Sequence, residues 1–489
     1  MSERTTAIAY EVVIGLEIHV QLLTDSKMFC ECATAFGAPP NTQTCPVCLG
    51  LPGALPVINR KAVELGLRTA VALGCRVHGT SQFHRKNYYY PDLPKNYQIT
   101  QYEYKIHPPL GTKGSLELTA DTSPRRIGIR RVHLEEDTGK LVHVEQHGQI
   151  LHSLIDFNRS GVPLMEVVTE PDLHSPEQAR LLLGRLRSLL QAIGVSSGRM
   201  EEGSLRCDAN VSLRRPGAEL GIRTEVKNMN SLRSVERALA FEAQRQEQLL
   251  DRGQPVGQET RHWDERRGVT FSSRTKEEAQ DYRYFPEPDL VPIAVGKQWI
   301  DEVRASLPEL PDARRQRYAS AYRLSPYDAG LVTSSMPLAI FFEATVGHYP
   351  QAKTVANWLA GDVAAYLNAE GLEIEETALT PNHLAELLRL VDAGTISIRT
   401  AKEILPEMLR TGASAEQLVA DRGLAQISDT AAVGSVIDQI IAEHPGPASD
   451  FRGGKTQALT FLVGQVMKKT RGRANPELVN KLLREKLQP

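Results

Sequence analysis

The 489-residue chain has no apolar run long enough to span a bilayer, so no membrane-spanning helix is expected. It opens on MSERTTAIAYE, where charge precedes any apolar stretch. That order argues against a signal peptide and makes a cytosolic, cytoplasmic protein the expectation. Neither charge sign dominates: 57 Lys and Arg against 59 Asp and Glu leave a net charge of −2. Nucleic-acid contact would therefore need local basic patches rather than a global positive field. Cysteine is sparse, at six, and disulfides are not expected in a cytosolic chain. No internal repeat or low-complexity tract is present. Two motif matches fail in context. Gly194-Val195-Ser196-Ser197-Gly198 has the letters of G-x-S-x-G but follows a helical pattern, not a strand. Gly454-Lys455-Thr456 ends like a phosphate-binding loop, yet Ser449 stands where the first glycine belongs. ATP, if used, is not held by a P-loop.

What remains is strand-rich to about residue 293 and helical beyond about 295. The length suits two or three domains at roughly 150 residues each. In the first segment Tyr10, Val12, Ile14, Leu16, Ile18, Val20 and Leu22 alternate with Glu11, Gly15, Glu17, His19 and Gln21. This period of two predicts a strand with one buried face and puts Glu17 and His19 together on the other. Leu205, Cys207, Ala209, Val211 and Leu213 alternate with Arg206, Asp208, Asn210 and Ser212. After a Pro216-Gly217 loop, Ile222, Thr224 and Val226 alternate with Arg223, Glu225 and Lys227. A hairpin here would place Arg206, Asp208, Asn210, Arg223, Glu225 and Lys227 on one polar face. Helix signals are also legible: Ser175-Pro176 with Gln178 opening a helix that Gly194 closes, a start near Ser231, and Thr380-Pro381 opening one that Gly394 closes. From Lys455 to Leu487, Leu459, Leu462, Val463, Val466 and Met467 form an apolar side, with Lys468, Lys469, Arg471 and Arg473 on the exposed one.

Several constellations could carry chemistry. Cys30, Cys32, Cys45 and Cys48 form C-x-C…C-x-x-C, four soft ligands that suit a structural zinc; Pro46 and Gly50 fit a tight knuckle. Cys75 and Cys207 sit in apolar patterns and read as core thiols. Glu17 and His19, with the run His133, Glu135, Glu136, Asp137, offer oxygen and nitrogen to a hard cation. The alternation shifts phase between Ile129 and Val132, as at a bulge, so it does not say which of Glu135 and Glu136 faces Glu17. Glu166, flanked by Val162-Pro163-Leu164-Met165 and Val167-Val168, needs a partner or a metal to sit in such a strand. The mixed polar face of the hairpin could hold phosphates and a metal, or be a solvated ion-paired surface. The aromatic runs Tyr88 to Tyr97, preceded by Arg85 and Lys86, and Asp281 to Asp289 could stack on bases, wall a pocket, or form rigid loops.

The strings VIGLEIHVQL, RKNYYYPDLPKNYQI, RVHLEEDTGK, DFNRSGVPLMEVV, EEGSLRCDANVS, DYRYFPEPDL and FLVGQVMKK together resemble the aspartyl/glutamyl-tRNA amidotransferase B-subunit family, over essentially the whole chain. The resemblance implies an α+β fold: a glutamine synthetase-like cradle domain with an antiparallel sheet over 1–294, an all-α helical domain over 295–410, and a small helical tail over 411–489 that contacts tRNA. It implies ATP- and Mg²⁺-dependent phosphorylation of the side-chain carboxylate of Glu-tRNA(Gln) or Asp-tRNA(Asn). Ammonia from a glutaminase A subunit then displaces phosphate, and a C subunit completes a heterotrimer. The family's metal site maps onto Glu17 and His19, with Glu136 and Glu166 beside them and Glu135 a near neighbour; the cysteine quartet matches its zinc-bearing branch. Arg206, Arg223 and Lys227 are the expected phosphate-binding cations, with Asp208 and Glu225 among the catalytic candidates. Lys468, Lys469, Arg471 and Arg473 are the expected RNA contacts. The chain has no amidase signature with a paired Ser and Lys and no Cys-His nucleophile, so ammonia must come from a partner. Two rival readings are a non-catalytic zinc-bearing tRNA-binding scaffold and a free-standing ammonia ligase for a small acid.

Overall fold

A computed structural model describes residues 10–102, 107–120, 123–146, 149–275, 282–426, 430–470 and 474–487. Arg471, Arg473 and Asp281 lie outside the described residues. The chain divides into two compact units, 1–311 and 312–489. The first unit runs past residue 295 because Trp299, Ile300 and Val303 of the Lys297–Ser306 helix pack against its core.

The Glu11–Gln21 strand lies inside a twelve-stranded sheet, between Pro163–Thr169 and Leu205–Arg214. From the Pro163–Thr169 side the order continues through Ser123–Glu136, Tyr97–Gln101 and Phe83–Asn87 to Phe285–Pro286. From the other side it runs through Thr224–Lys227 and Glu259–Asp264 to Val269–Thr275. The sheet is mixed, not purely antiparallel, because Thr224–Lys227 and Glu259–Asp264 run parallel. That pairing requires a crossover, and the Leu232–Asp251 helix lies within it.

The predicted alternation decides which face is covered. Ile14, Leu16, Ile18 and Val20 are all at most 1% exposed and join one core with Leu182, Leu186, Val235 and Leu239 of two helices. Each such side chain contributes about 1.5–3 kcal/mol by leaving water. The helices Arg60–Ala72, Pro176–Ala192 and Leu232–Asp251 thus cover one side of the sheet. Their starts are capped by Asn59, Ser175 and Ser231, whose side chains accept from backbone N–H groups of the first turn, each worth about 1 kcal/mol. Gln178 does not close a capping box on Ser175; its side chain accepts from His174 N at 2.9 Å, one residue earlier. Gly194, at φ +66°, follows that helix as expected.

The expected hairpin and its shared polar face hold, except at Arg223. Asn210 faces Glu225 and Ala209 faces Val226, so Arg206, Asp208, Asn210, Glu225 and Lys227 share a face. The second strand starts at Thr224, leaving Arg223 exposed outside the ladder. A Cβ at Gly221 would lie 2.1 Å from the Leu213 carbonyl oxygen, so this backbone presses on its neighbour before pairing begins.

The second unit is helical. One core gathers Tyr318, Phe342, Leu384, Leu388, Leu405 and Leu418; another gathers Val433, Ile437, Leu462, Val466 and Leu483. Thr380 caps the Pro381–Asp392 helix, and Gly394 follows it at φ +67°. No single described helix is long and apolar enough to cross a membrane.

Candidate active site

On the sheet face opposite the Arg60–Ala72, Pro176–Ala192 and Leu232–Asp251 helices, register aligns charged side chains in rows across the strands. His19 is flanked by Arg206 on one side and Glu166 on the other, and Glu166 by His133 beyond. One step along, Glu17 lies between Asp208 and Val168, and Val168 faces Arg131. Opposed residues on one face lie within about 5.5 Å at Cβ, so these groups interact directly.

The tightest meeting is of His19, Glu135 and Glu166, which each offer one donor atom within 4.8 Å of the others. His19 Nε2 is 3.5 Å from Glu166 Oε2 and 3.7 Å from Glu135 Oε1. With both carboxylates ionised, two negative charges face one imidazole, and Arg131, 3.6 Å from Glu166, offsets only part of that charge. A dication with oxygen and nitrogen ligands would balance it, so the donor set fits a hard or borderline divalent cation. Without a cation, the crowded groups share their charge through protonation. Burial alone would lower His19, but the hydrogen bond and charge of Glu166, with Glu135 and Asp208, raise it to about 9. Burial and the neighbouring Glu166 charge push the Glu135 carboxyl up. Glu166 is held well below the usual carboxylate range: burial opposes ionisation, but His133, His19 and Arg131 outweigh it.

Not every expected residue joins this cluster. Glu17 sits one pair away, its Oε1 accepting from Asn210 Nδ2 at 3.0 Å. Glu136 points to the opposite side, so its expected place beside His19 is taken by Glu135. There Glu136 pairs with Lys95 and accepts from Ile99 N at 2.9 Å. It lines a cavity of about 130 Å³ with Lys27, Phe29, Cys48 and Tyr97. The cause is the bulge anticipated near residue 130: Val168 faces Arg131 while Thr169 faces Ile129, so Arg130 is the extra residue.

Of the three expected phosphate-binding cations, Arg206 and Lys227 are already partnered, and Arg223 lies exposed outside the ladder. Arg206 donates to Asp137 Oδ2 at 2.9 Å, and Asp137 also accepts from Gln21 Nε2 at 3.0 Å. Lys227 pairs with Asp208 and lies 3.6 Å from Glu225, whose Oε2 accepts from Thr260 at 2.8 Å. Burial would lower the Lys227 ammonium, but Asp208 and Glu225 hold it charged. Arg131 joins the site without any motif to mark it, and Lys86 enters it from the edge of the aromatic run. Arg131 lies 3.6 Å from Glu166 Oε1, and its parity with His133 along the strand is the only sequence signal for it. Lys86 lies 4.8 Å from the Tyr282 ring centroid and 5.7 Å from that of Tyr88.

The aromatic runs form a wall beside these carboxylates. Tyr102 and Tyr284 stack at 4.1 Å, and Tyr282 meets Tyr88 at 6.2 Å and Tyr284 at 6.0 Å. Burial first, then the Glu135 charge, pushes the Tyr88 and Tyr284 hydroxyls upward, so both stay neutral donors. Tyr89 and Tyr90 point out, 72% and 52% exposed.

The cysteine quartet converges as its spacing suggests, with Cys30, Cys32, Cys45 and Cys48 forming a four-thiol cluster. Cys45 N donates to Cys48 Sγ at 3.2 Å, and Lys27 Nζ lies 3.6 Å from it. The Cys30 thiol, the Cys45 N–H and Lys27 bring Cys48 down to about 4, a thiolate suited to a metal. Cys207 is buried at 2% exposure, and Cys75 packs against the same core. In the second unit Lys468 and Lys469 are exposed, and Lys469 pairs with Glu443.

Residues 12–301 match the GatB/GatE catalytic domain family and residues 340–487 the GatB domain family. The chain is 57% identical over 479 residues to the aspartyl/glutamyl-tRNA(Asn/Gln) amidotransferase B subunit of Moorella thermoacetica, covering 98% of this chain and 100% of that one. It is 52% identical to the protein of the same name from Carboxydothermus hydrogenoformans, covering 98% and 99%. The corresponding figures for Caldanaerobacter subterraneus are 51%, 98% and 99%.

Proposed function

Because the chain belongs to the B-subunit family of aspartyl/glutamyl-tRNA(Asn/Gln) amidotransferases, we propose that the polar sheet face activates an amino-acid carboxylate carried on tRNA. The function is tRNA-dependent amidotransfer in protein biosynthesis, and the activity is that of a ligase. The observation that carries the site assignment is the convergence of His19, Glu135 and Glu166 in one row system with Arg206, Asp208 and Lys227.

The chemistry follows from the substrate. A free carboxylate resists attack by ammonia because oxide is a poor leaving group. One carboxylate oxygen of Glu-tRNA(Gln) or Asp-tRNA(Asn) attacks the γ-phosphorus of ATP, and the bond to ADP breaks. Ammonia nitrogen then attacks the carbonyl carbon, phosphate departs with the carbonyl–oxygen electron pair, and the amide remains after loss of a proton. A divalent cation, Mg²⁺ in this reading, would be held by His19, Glu135 and Glu166 and would supply charge neutralisation at the phosphoryl oxygens. Arg206, aimed by Asp137, and Lys227, held charged by Asp208, supply fixed positive charge beside that site. The tyrosine wall excludes water and offers ring faces to the acceptor end.

The N-terminal 1–294 region is read as a glutamine synthetase-like cradle, 295–410 as a helical domain, and 411–489 as a tail whose Lys468, Lys469, Arg471 and Arg473 meet tRNA. A glutaminase A subunit and a C subunit are the partners, in a cytoplasmic heterotrimer. The scaffold alternative leaves the convergent His19, Glu135 and Glu166 without a role. Reconstitution with both partners should give glutamine-, ATP- and Mg²⁺-dependent amide formation on mischarged tRNA; amidation without ADP release would defeat the phosphorylation step.

The quartet Cys30, Cys32, Cys45 and Cys48 is read as a closed structural zinc site, since four thiolates leave no open position. Elemental analysis should find one zinc per chain, lost in Cys48→Ser with a lower melting temperature. Full metal retention in that variant would remove Cys48 from the ligand set.

A further inference from the structure

We propose that His133 is the positioning residue of the cation site: its Nε2–H, donated to Glu166 Oε2, fixes the carboxylate that faces His19. The inference rests on reading that face as a divalent-cation site and concerns a residue outside the ligand trio. His19, Glu166 and His133 stand opposite one another on three adjacent strands. Both imidazoles address the same oxygen: His133 Nε2 is 3.4 Å and His19 Nε2 3.5 Å from Glu166 Oε2. The two cannot both be donors once a cation is bound. A metal ligand presents a lone pair, so a His19 Nε2 directed at a cation would not be free to donate to Oε2. His133 is then the imidazole left to hold Oε2, while Arg131 lies 3.6 Å from Oε1.

The burial of His133 selects its tautomer. Its side chain is 5% exposed and cannot swing to solvent. Its Nδ1 is buried without a hydrogen-bond partner. A proton on Nδ1 would meet no acceptor, whereas on Nε2 it meets a carboxylate. The neutral ring therefore points its one N–H at Glu166. Outer contacts of this kind set ligand orientation, and their loss typically costs about 10–100-fold in metal affinity.

The test uses the full chain with Mn²⁺ as the probe, its binding followed by electron paramagnetic resonance. His133→Leu removes the donor, and His133→Gln keeps an N–H at a similar reach. His133→Leu should weaken Mn²⁺ binding about 10–100-fold, with His133→Gln close to the unaltered chain. In the assembled enzyme His133→Leu should raise the Mn²⁺ concentration for half-maximal amidation, with kcat recovering at saturation. A merely structural role would lower kcat without that split. Unchanged affinity in His133→Leu, alongside lost affinity in His19→Ala, overturns the proposal alone. Unchanged affinity in both overturns the cation reading of the face itself. Where His133→Leu fails to fold, His133→Asn replaces it: its shorter amide cannot reach Oε2, and affinity equal to that of His133→Gln overturns the proposal.

Discussion

His19→Ala is expected to lower ATP-dependent amide formation by roughly 10²–10³-fold, the usual cost of removing one preorganised electrostatic group. Binding of tRNA should be unchanged. His19 is the only imidazole in the trio with Glu135 and Glu166, and it stands between Glu166 and Arg206 in the register. Without it, Glu135 and Glu166 face each other with no nitrogen ligand between them, and His133 and Arg131 remain only on the Glu166 side. Glu17→Gln should have a smaller effect, because Glu17 lies outside the trio and is already engaged by Asn210 Nδ2 at 3.0 Å. The measurement is the rate of amide and ADP formation on mischarged tRNA, with filter binding for the tRNA itself. A loss no greater in His19→Ala than in Glu17→Gln would move the reacting centre away from this trio.

The parts of this site that could be read early are those set by local periodicity. Alternation from Tyr10 to Leu22 put Glu17 and His19 on one face, because a strand repeats every two residues whatever it pairs with. Glu166 stood out because a carboxylate among Pro163, Leu164, Met165, Val167 and Val168 demands partners, and it has His19, His133 and Arg131. The four cysteines announced themselves by spacing. What could not be read depends on pairing between distant segments. The single extra residue at Arg130 decides that Glu135, not Glu136, turns toward His19. The phase shift was visible in the sequence, but its consequence needed the partner strand. The parallel entry of Glu259–Asp264 beside Thr224–Lys227 is likewise set by the helix between them, not by any local pattern. Arg223 falls off the polar face because the ladder starts at Thr224, two residues after Ile222, once the backbone at Gly221 has passed against the Leu213 carbonyl.

That parallel edge also locates the largest expected loss of stability. Glu242, on the Leu232–Asp251 helix, is fully buried, yet its carboxylate is satisfied throughout. Arg245 donates to both oxygens at 2.6 and 2.8 Å, Gln246 Nε2 at 3.0 Å and Thr270 Oγ1 at 3.0 Å, with Arg261 Nε at 3.4 Å. Arg261 continues to Glu259 at 2.8 Å and to the Thr270 carbonyl at 2.8 Å. The network ties the crossover helix to the two outermost strands on this side of the sheet. Without Glu242 the half-buried Arg245 and Arg261 guanidiniums keep only Glu259 as a shared counter-charge, at 3.4 and 2.8 Å, and Gln246 and Thr270 lose an acceptor, a loss of at most about 3–5 kcal/mol. Glu242→Ala should therefore shift the unfolding of the first unit by up to that amount. Glu242→Gln, which keeps an acceptor oxygen in place, should cost less. Trp263, 2% exposed on the Glu259–Asp264 strand, provides the fluorescence signal in a urea titration. The effect should reach function, because Thr260 of that strand donates to Glu225 at 2.8 Å and Glu225 lies 3.6 Å from Lys227. Loosening the edge should thus depress amidation in Glu242→Ala at temperatures where the fold persists. A destabilisation below about 1 kcal/mol, the range of a solvent-screened surface pair, would mean that water already reaches this carboxylate and that apolar packing, not ion pairing, holds the edge.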